Sequence, residues 1–391
     1  MKILSFTSSY PLPGSLVGPF IENLNQRLVE QGHKVRVIVY SVSGKYKVSI
    51  RKGVEVIEYP YSFFLPPKLH EGKGLINSMK LSFLAKVEFP LYLLATIFYL
   101  LKFSRDCDVI HAQFYLPAGF LAVLTKFWHR KPVVITALGK EFHLPNKWIF
   151  RKILNFTNEQ VDQGVAVSKY LRNQAANYGL DISKIIVINN CIPFEEFQLP
   201  RKREHGHELV IGYACRLVPE KRTKDVLRAF SRLMQNPPAP NLALWIVGGG
   251  EEFDELVKMA KDLGISDKTK FFGFLPPDEM PRIFSEMDIF LNPTQEEGLA
   301  HTNLEAMAAG AVVVCSEGVG NDEVVTDGVT GRTFPIGDLT AMVERLREII
   351  GDPEKRQAIA QAGREHVRKN FHVNSQLARY IEVYQKLLAQ S

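Results

Sequence analysis

Cysteine is scarce in this chain of 391 residues, and its four copies, Cys107, Cys191, Cys215 and Cys315, lie far apart. No CxxC pair is present, so neither a disulfide framework nor a thiolate metal site is indicated, and the thiols are read as reduced. Long charge runs of one sign are missing too. The net charge is +6, from 48 basic and 42 acidic side chains, and no nucleic-acid-binding signature accompanies it. A nucleic-acid partner is therefore not expected. No repeat or low-complexity tract occurs. Met1 leads straight into KILSF without the charged segment, apolar core and cleavage site of a secretion signal, so the expected location is cytoplasmic. The longest apolar run, Leu81 to Phe103, is interrupted by Lys86, Glu88 and Pro90. It leaves about a dozen clean residues against the roughly 18 to 20 needed to cross a bilayer. A core helix is expected there, with membrane-surface contact as the alternative.

Hydrophobic residues make up 46% of the chain and charged residues 23%, the composition of a soluble globular protein long enough for two large cores. Strand-like runs alternate with helical ones. KILSF, HKVRVIVYS, VEVIEYP, DVIHAQ, PVVITAL and VDQGVAVS are separated by helical patterns in the first half. ELVIGYACR, LALWIVGGG, TKFFGF, DIFLNP and AVVVCS repeat the rhythm in the second. Such alternation predicts an α/β fold with two parallel, helix-covered sheets. The seam is expected between Pro193 and Glu208, where Pro and charge replace periodicity. A basic excess at Lys45, Lys47, Arg51, Lys52, Lys68, Lys73 and Lys80 precedes the apolar run. It suits either anionic lipid headgroups or a solvated basic face.

The most informative segment is Gln295 to Ser316, QEEGLAHTNLEAMAAGAVVVCS. Thr302 and Asn303 are placed to open a helix, Gly310 to close it with a left-handed residue, and AVVVC to form a buried strand. Glu297 then precedes the helix, and Glu305 falls in its first turn. A helix start presents unpaired amides and the positive end of the helix dipole. The amides around Ala300 and His301 are therefore placed to hold a diphosphate, and the flanking carboxylates to hold hydroxyls.

This E-x7-E spacing followed by a helix and Gly resembles the retaining glycosyltransferases of family four, which have the GT-B fold. The resemblance implies two Rossmann-like domains facing across a cleft: an acceptor-binding domain over 1–195, a nucleotide-sugar-binding domain over 206–370, and a C-terminal helix over 371–391 that packs back on the first. GYACRLVPEKR resembles the family's phosphate segment, which makes Arg216 and Lys221 the cations facing the donor diphosphate. The family usually has Gly where this chain has Arg222. IVGGGEEF resembles the following glycine turn, with Gly248 at a close backbone approach, and KFFGFLPP the base-flanking strand, with Phe274 and Leu275 reading the base edge.

In the first half, SSYPLPGSLVGPF is similar to the family's opening. Gly18 is the candidate for the phosphate or acceptor approach and Gly14 the second, while Pro19 replaces the family's second Gly. DVIHAQ places His111 either in the cleft or, the safer reading, in the core. TALGKEF resembles the family's T-x-H-G-x-D: Gly139 matches, Glu141 replaces Asp, and Leu138 replaces His, a loss that His143 would make good. Cys191 and Pro193 also depart from the family pattern.

The resemblance implies a metal-independent hexosyltransferase, with no cofactor, that uses a UDP- or GDP-sugar. Glu305 would hold the ribose, Glu297 the transferred sugar, with Thr302 beside them. The expected partners are that donor and a glycan or lipid-linked acceptor of cell-envelope or extracellular polysaccharide synthesis, worked on at the inner membrane face. The alternatives are a non-catalytic nucleotide-sugar-binding subunit, or a GT-B epimerase or phosphorylase.

Overall fold

A computed structural model of the chain describes residues 1–11, 19–62, 67, 69, 82–143, 148–201 and 208–390. They form two compact units. The first is Met1–Val167, Leu171–Ile188 and Leu377–Ser391; the second is Ser168–Tyr170 and Asn189–Gln376. The division thus falls at residue 189, before the expected seam, and the returning segment begins at Leu377 rather than at 371. Local pairing explains both shifts. Ile192 bridges His372 in parallel, the Ile192 amide donates to Phe371 O at 3.2 Å, and the His372 ring meets the Glu195 carboxylate at 2.9 Å. Residues 189–195 and 371–376 are therefore tied to each other inside the second unit.

The sheet of the first unit has eight strands: β1 Lys2–Phe6, β2 Lys34–Tyr40, β3 Lys47–Arg51, β4 Val54–Tyr59, β5 Val109–Gln113, β6 Val133–Ala137, β7 Gln163–Ala166 and β8 Ile185–Val187. Their order is β3-β4-β2-β1-β5-β6-β7-β8. In register, Ile3 pairs with Val35 on one side and Val109 on the other. β5 and β6 are buried at every position, as expected for parallel strands covered on both faces.

One strand went unread in the sequence. Lys47–Arg51 lies antiparallel to β4, and Lys52 and Gly53, both at positive φ, make the two-residue turn between them. This is the heart of the basic segment. Lys45, Lys47, Arg51 and Lys52 thus decorate an edge hairpin; Lys68, Lys73 and Lys80 lie outside the described residues.

The apolar run forms a helix, Phe83–Ser104, that continues through Pro90 for 22 residues, long enough to cross a bilayer by length and composition. It is a core helix on one stripe only: Ala85, Glu88, Tyr92, Thr96, Leu100 and Ser104 are buried, three or four residues apart. Glu88 faces inward and accepts from the Leu69 amide at 2.8 Å and the Ser62 hydroxyl at 2.5 Å.

The second unit has six parallel strands: β9 Leu209–Ala214, β10 Leu242–Val247, β11 Thr269–Gly273, β12 Ile289–Asn292, β13 Val312–Ser316 and β14 Arg332–Phe334, in the order β11-β10-β9-β12-β13-β14. From β9 the chain works outward to β10 and β11, then returns to β12 on the other side. The boundary between β9 and β12 is thus a topological switch point, where the loops at the strand C-termini diverge and leave a crevice.

Candidate active site

Three loops meet at the C-terminal ends of the strands around that switch point. The loop after β9 carries Arg216 and Lys221, the loop after β10 carries Gly248 to Gly250, and the loop after β12 carries Glu297. Backbone hydrogen bonds knit them together: Cys215 N to Val247 O at 3.1 Å, Leu217 N to Gly249 O at 3.0 Å, and Gln295 N to Glu220 O at 3.2 Å. The glycines are required by this closeness. Gly248 has φ +124°, and a Cβ there would lie 1.9 Å from Cys215 O; at Gly250 it would lie 2.3 Å from Leu217 O. The glycine turn is therefore packed on the cation-bearing loop.

Lys221 is buried, and its ammonium forms an ion pair with the Glu297 carboxylate and donates to Glu296 O at 3.3 Å. Burial works against the charge, but the Cys215 sulfur and the Glu297 carboxylate outweigh it and hold the lysine above its ordinary range. Of these two, Glu297 is the partner that matters near neutrality, because burial raises the Cys215 thiol and keeps it protonated. Arg216 is exposed, makes no ion pair among the described residues, and is close enough to act on Lys221 electrostatically. Lys221 and Glu297 are thus in direct contact, with Arg216 beside them.

Arg222 occupies the position of the family's glycine in a left-handed conformation, φ +55°. An L-residue there is strained by about 1 kcal/mol or more. Arg222 is held by Asp225 at 2.5 Å and Gln295 at 3.3 Å. The turn has kept its geometry with a bulkier residue.

The helix His301–Ala309 follows, with Ala300 as its N-cap and Gly310 closing it at φ +90°. No side chain caps its start. Glu305 is the fifth helical residue, so it lies in the second turn, one turn beyond the expected place. The carboxyl is half-buried and has neither hydrogen-bond partner nor cation among the described residues. Burial alone pushes its pKa up to about 8. Burial also lowers the His301 imidazole to about 4, so it is neutral near pH 7. Thr302 is half-buried at the first turn. At the end of β11, the exposed Phe274 ring lies against Gly249, where an added Cβ would come within 2.6 Å, and Leu275 follows it half-buried.

The candidates of the first unit fare differently. His111 is fully buried on β5: its Nδ1 meets Tyr384 Oη at 2.7 Å and its Nε2 meets Thr136 Oγ1 at 2.7 Å. Burial depresses its pKa to about 3. It is a satisfied core histidine, and the cleft reading of it is withdrawn. Glu141 is also buried, its carboxylate accepting from the Leu138 amide at 2.8 Å and the Gly139 amide at 2.7 Å. It closes its own turn instead of reaching for a sugar. A Cβ at Gly139 would meet nothing within 4 Å, so no close approach demands glycine there. His143 ends the short turn Lys140–His143, and its side chain lies outside the described residues, as do Gly14 and Gly18.

Residues 195–366 match the family described as Glycosyl transferases group 1, and residues 17–196 match Glycosyltransferase Family 4. The chain belongs to the family 4 glycosyltransferases. N-acetyl-alpha-D-glucosaminyl L-malate synthase of Bacillus anthracis is 25% identical over 99% of this chain and 98% of its own. The GDP-mannose-dependent alpha-(1-6)-phosphatidylinositol monomannoside mannosyltransferase of Mycolicibacterium smegmatis is 28% identical over 72% of this chain and 77% of its own. Among solved structures, Anabaena HepE in complex with UDP-glucose superposes with a TM-score of 0.77 at 18% identity, covering 99% of this chain and 100% of that one. The two-domain GT-B fold is thereby established.

Sequence reading missed the residues that anchor the site helix of this glycosyltransferase. Asn292, at the end of β12, donates to the Asn303 side chain at 2.8 Å, Asn303 to Asn321 at 3.0 Å, and Asn321 to Ser316 O at 2.8 Å. All three are buried. This chain of amides fixes the helix start to the ends of β12 and β13; the sequence marked Asn303 as a helix opener but gave no sign that Asn292 and Asn321 join it. Among the described residues no group of three or more His, Cys, Asp or Glu side chains is arranged to hold a metal ion.

Proposed function

We propose that this glycosyltransferase moves a hexose-type sugar, with retention and without a metal ion, from a UDP- or GDP-sugar to an acceptor hydroxyl in cell-envelope, lipid-linked or extracellular polysaccharide synthesis. The Lys221 to Glu297 ion pair at the switch point carries the reading, with Arg216 and Glu305 unpaired in the same unit. In the absence of donor, Glu297 neutralises Lys221. The donor diphosphate takes its place, so that Lys221 and Arg216 face the phosphates and Glu297 is released to the hydroxyls of the sugar. Glu305, ionised, accepts from the two ribose hydroxyls.

The bond from the anomeric carbon to the β-phosphate oxygen breaks, and its electron pair stays on that oxygen. The acceptor oxygen attacks the same face, and its proton passes to the departing phosphate. Stabilising the developing charge is the main task; one well-aimed donor contributes about 3 to 4 kcal/mol. Two cations next to the leaving oxygen serve that task without a divalent ion. Support for the donor class comes from relatives: HepE was solved with UDP-glucose, and the mycobacterial enzyme is named for GDP-mannose. Support for the acceptor class comes from relatives named for capsule and lipopolysaccharide core synthesis.

The test is nucleoside diphosphate release from a panel of UDP- and GDP-sugars with a membrane extract, with and without EDTA, against a Glu305→Ala control. Release with one donor, insensitive to EDTA and lost in the control, is expected, and the product anomer read by NMR reports retention. Binding without release for every donor would refute turnover.

A further inference from the structure

Of the nineteen large hydrophobic side chains exposed among the described residues, fifteen belong to the first unit. They are not scattered. The helix Phe83–Ser104 buries one stripe and presents the opposite one, Phe83, Val87, Leu94 and Phe98, to solvent. This helix touches the short helices Phe120–Leu124 and Lys126–His129, and the first of these packs on the helix Trp148–Gln160, with Phe120 and Phe156 rings 6.2 Å apart. On its other side Tyr99 stacks on Tyr46 of the basic hairpin at 6.0 Å. The outward residues of this continuous band include Phe127 at 78% exposure, Trp148 at 69% and Trp128 at 66%. Eleven large apolar side chains on these helices, each about half exposed, amount to on the order of 1,000 Å², above the few hundred Å² of the largest patch on an ordinary monomer.

The charges around the band are mostly basic. Lys45, Lys86, Arg105, Arg130 and Lys152 make no ion pair among the described residues. Of the nearby acids, Asp106 pairs with Lys2, Asp162 with Lys126, and Glu88 is buried, while Glu159 at the end of the helix Trp148–Gln160 is exposed without an ion pair among the described residues. Lys152 Nζ sits 4.8 Å over the Trp148 ring, and Lys102 Nζ 5.9 Å over both Tyr46 and Tyr99. Exposed aromatic rings with an ammonium above them match the boundary between acyl chains and headgroups, where the ring enters and the cation stays with phosphate.

We propose that this face of the first unit docks on an anionic lipid bilayer, with Phe98, Phe127, Trp128 and Trp148 entering the headgroup boundary and the surrounding lysines and arginines meeting lipid phosphates. The proposal stands on the first unit alone and does not depend on the transferase reading. Docking of this kind gains roughly fivefold in affinity for each basic residue near the surface and weakens with salt.

The full chain is sedimented with vesicles of phosphatidylcholine alone and with about one third phosphatidylglycerol, at about 0.1 and 0.5 M salt. Binding is expected to the anionic vesicles, stronger at low salt, with a blue shift of the fluorescence of Trp128 and Trp148. A Phe98→Glu/Trp128→Glu variant, altered only at exposed positions, should bind at least tenfold more weakly while its melting temperature stays the same. Failure of the wild type to bind anionic vesicles at low salt, or equal binding by the variant, overturns the proposal. So does a concentration-dependent dimer that the same variant dissociates, which would make the face a contact between copies of the chain.

Discussion

Replacing Glu305 with Gln should stabilise the ligand-free enzyme and weaken its hold on the donor, two effects of one carboxyl. Burial raises the group from its ordinary 4.5 to about 8 with no cation in compensation. Between those values the folded chain keeps a proton that the unfolded chain has lost, so stability falls as pH rises, by about 1.4 kcal/mol per pH unit. At pH 7 the ceiling is about 3 kcal/mol; water reaching the half-buried group reduces it to about 1 to 2. For a domain of this size that is a rise in melting temperature of about 3 to 6 °C in the Gln variant at pH 7, shrinking toward zero at pH 5. Donor affinity has the opposite dependence. Two ribose hydroxyls donate best to the ionised carboxylate, so wild-type binding should tighten about tenfold between pH 7 and 9, and the Gln variant should lose roughly 10- to 100-fold with a flat profile. Calorimetric melting at pH 5 and 7, and donor titration from pH 6 to 9, read both. A Gln variant that melts no higher at pH 7, or binds donor as tightly as the wild type, would refute the assignment of an unpaired, desolvated carboxyl to the donor site.

Lys221→Ala should lower turnover on the order of 10²- to 10³-fold, measured as diphosphate release at saturating donor. Arg216→Ala, at an exposed position without an ion pair, should lower turnover with no change in melting temperature. Gly248→Ala should lower stability by at least about 2 kcal/mol, because its methyl meets the Cys215 carbonyl and its φ is positive; a melt within about 1 °C of wild type would contradict that packing. Tyr384→Phe should remove about 1 to 3 kcal/mol from the first unit by taking the 2.7 Å hydroxyl partner from the buried His111 Nδ1, which keeps only the Gln113 amide at 3.4 Å. The same histidine makes the first unit acid-sensitive. Held neutral to about pH 3 in the fold but protonating near 6.5 when unfolded, it withdraws stability as pH falls from 6.5, and a His111→Gln variant should show a flatter acid limb in denaturation.

The alternation of strands and helices was legible because parallel sheets demand nearly continuous apolar runs, and β5, β12 and β13 are buried at every position. The edge strand Lys47–Arg51 was hidden by its charge: its residues are mostly solvent-facing, and only the Lys52-Gly53 turn betrays it. In the site, the E-x7-E pattern and the Arg216 to Lys221 spacing marked Glu297 and Lys221, which meet as an ion pair with Arg216 beside them, and Glu305, which lies in the second turn of the helix that follows. What the spacing does not contain is occupancy. Glu141 looks like a sugar ligand until its two loop amides are seen to claim both oxygens, and the choice between cleft and core for His111 is decided for the core, the safer reading, only by Tyr384, from more than two hundred residues away. The Asn292, Asn303 and Asn321 chain escaped for a related reason. Its members come from three separate elements, and only the sheet order brings them together.

The segment that begins at Leu377 places Tyr380 and Tyr384 in the core of the first unit, against His111 and Thr136. On the ribosome, every residue of the second unit emerges before that core can close. The unit whose strands are made first therefore finishes folding last, holding an unfilled slot beside β5 while the second unit is already complete. A nascent chain released early should yield a competent second unit attached to an open first one, and segments fused after Ala389 sit directly beside the last residues that this late closure must bury.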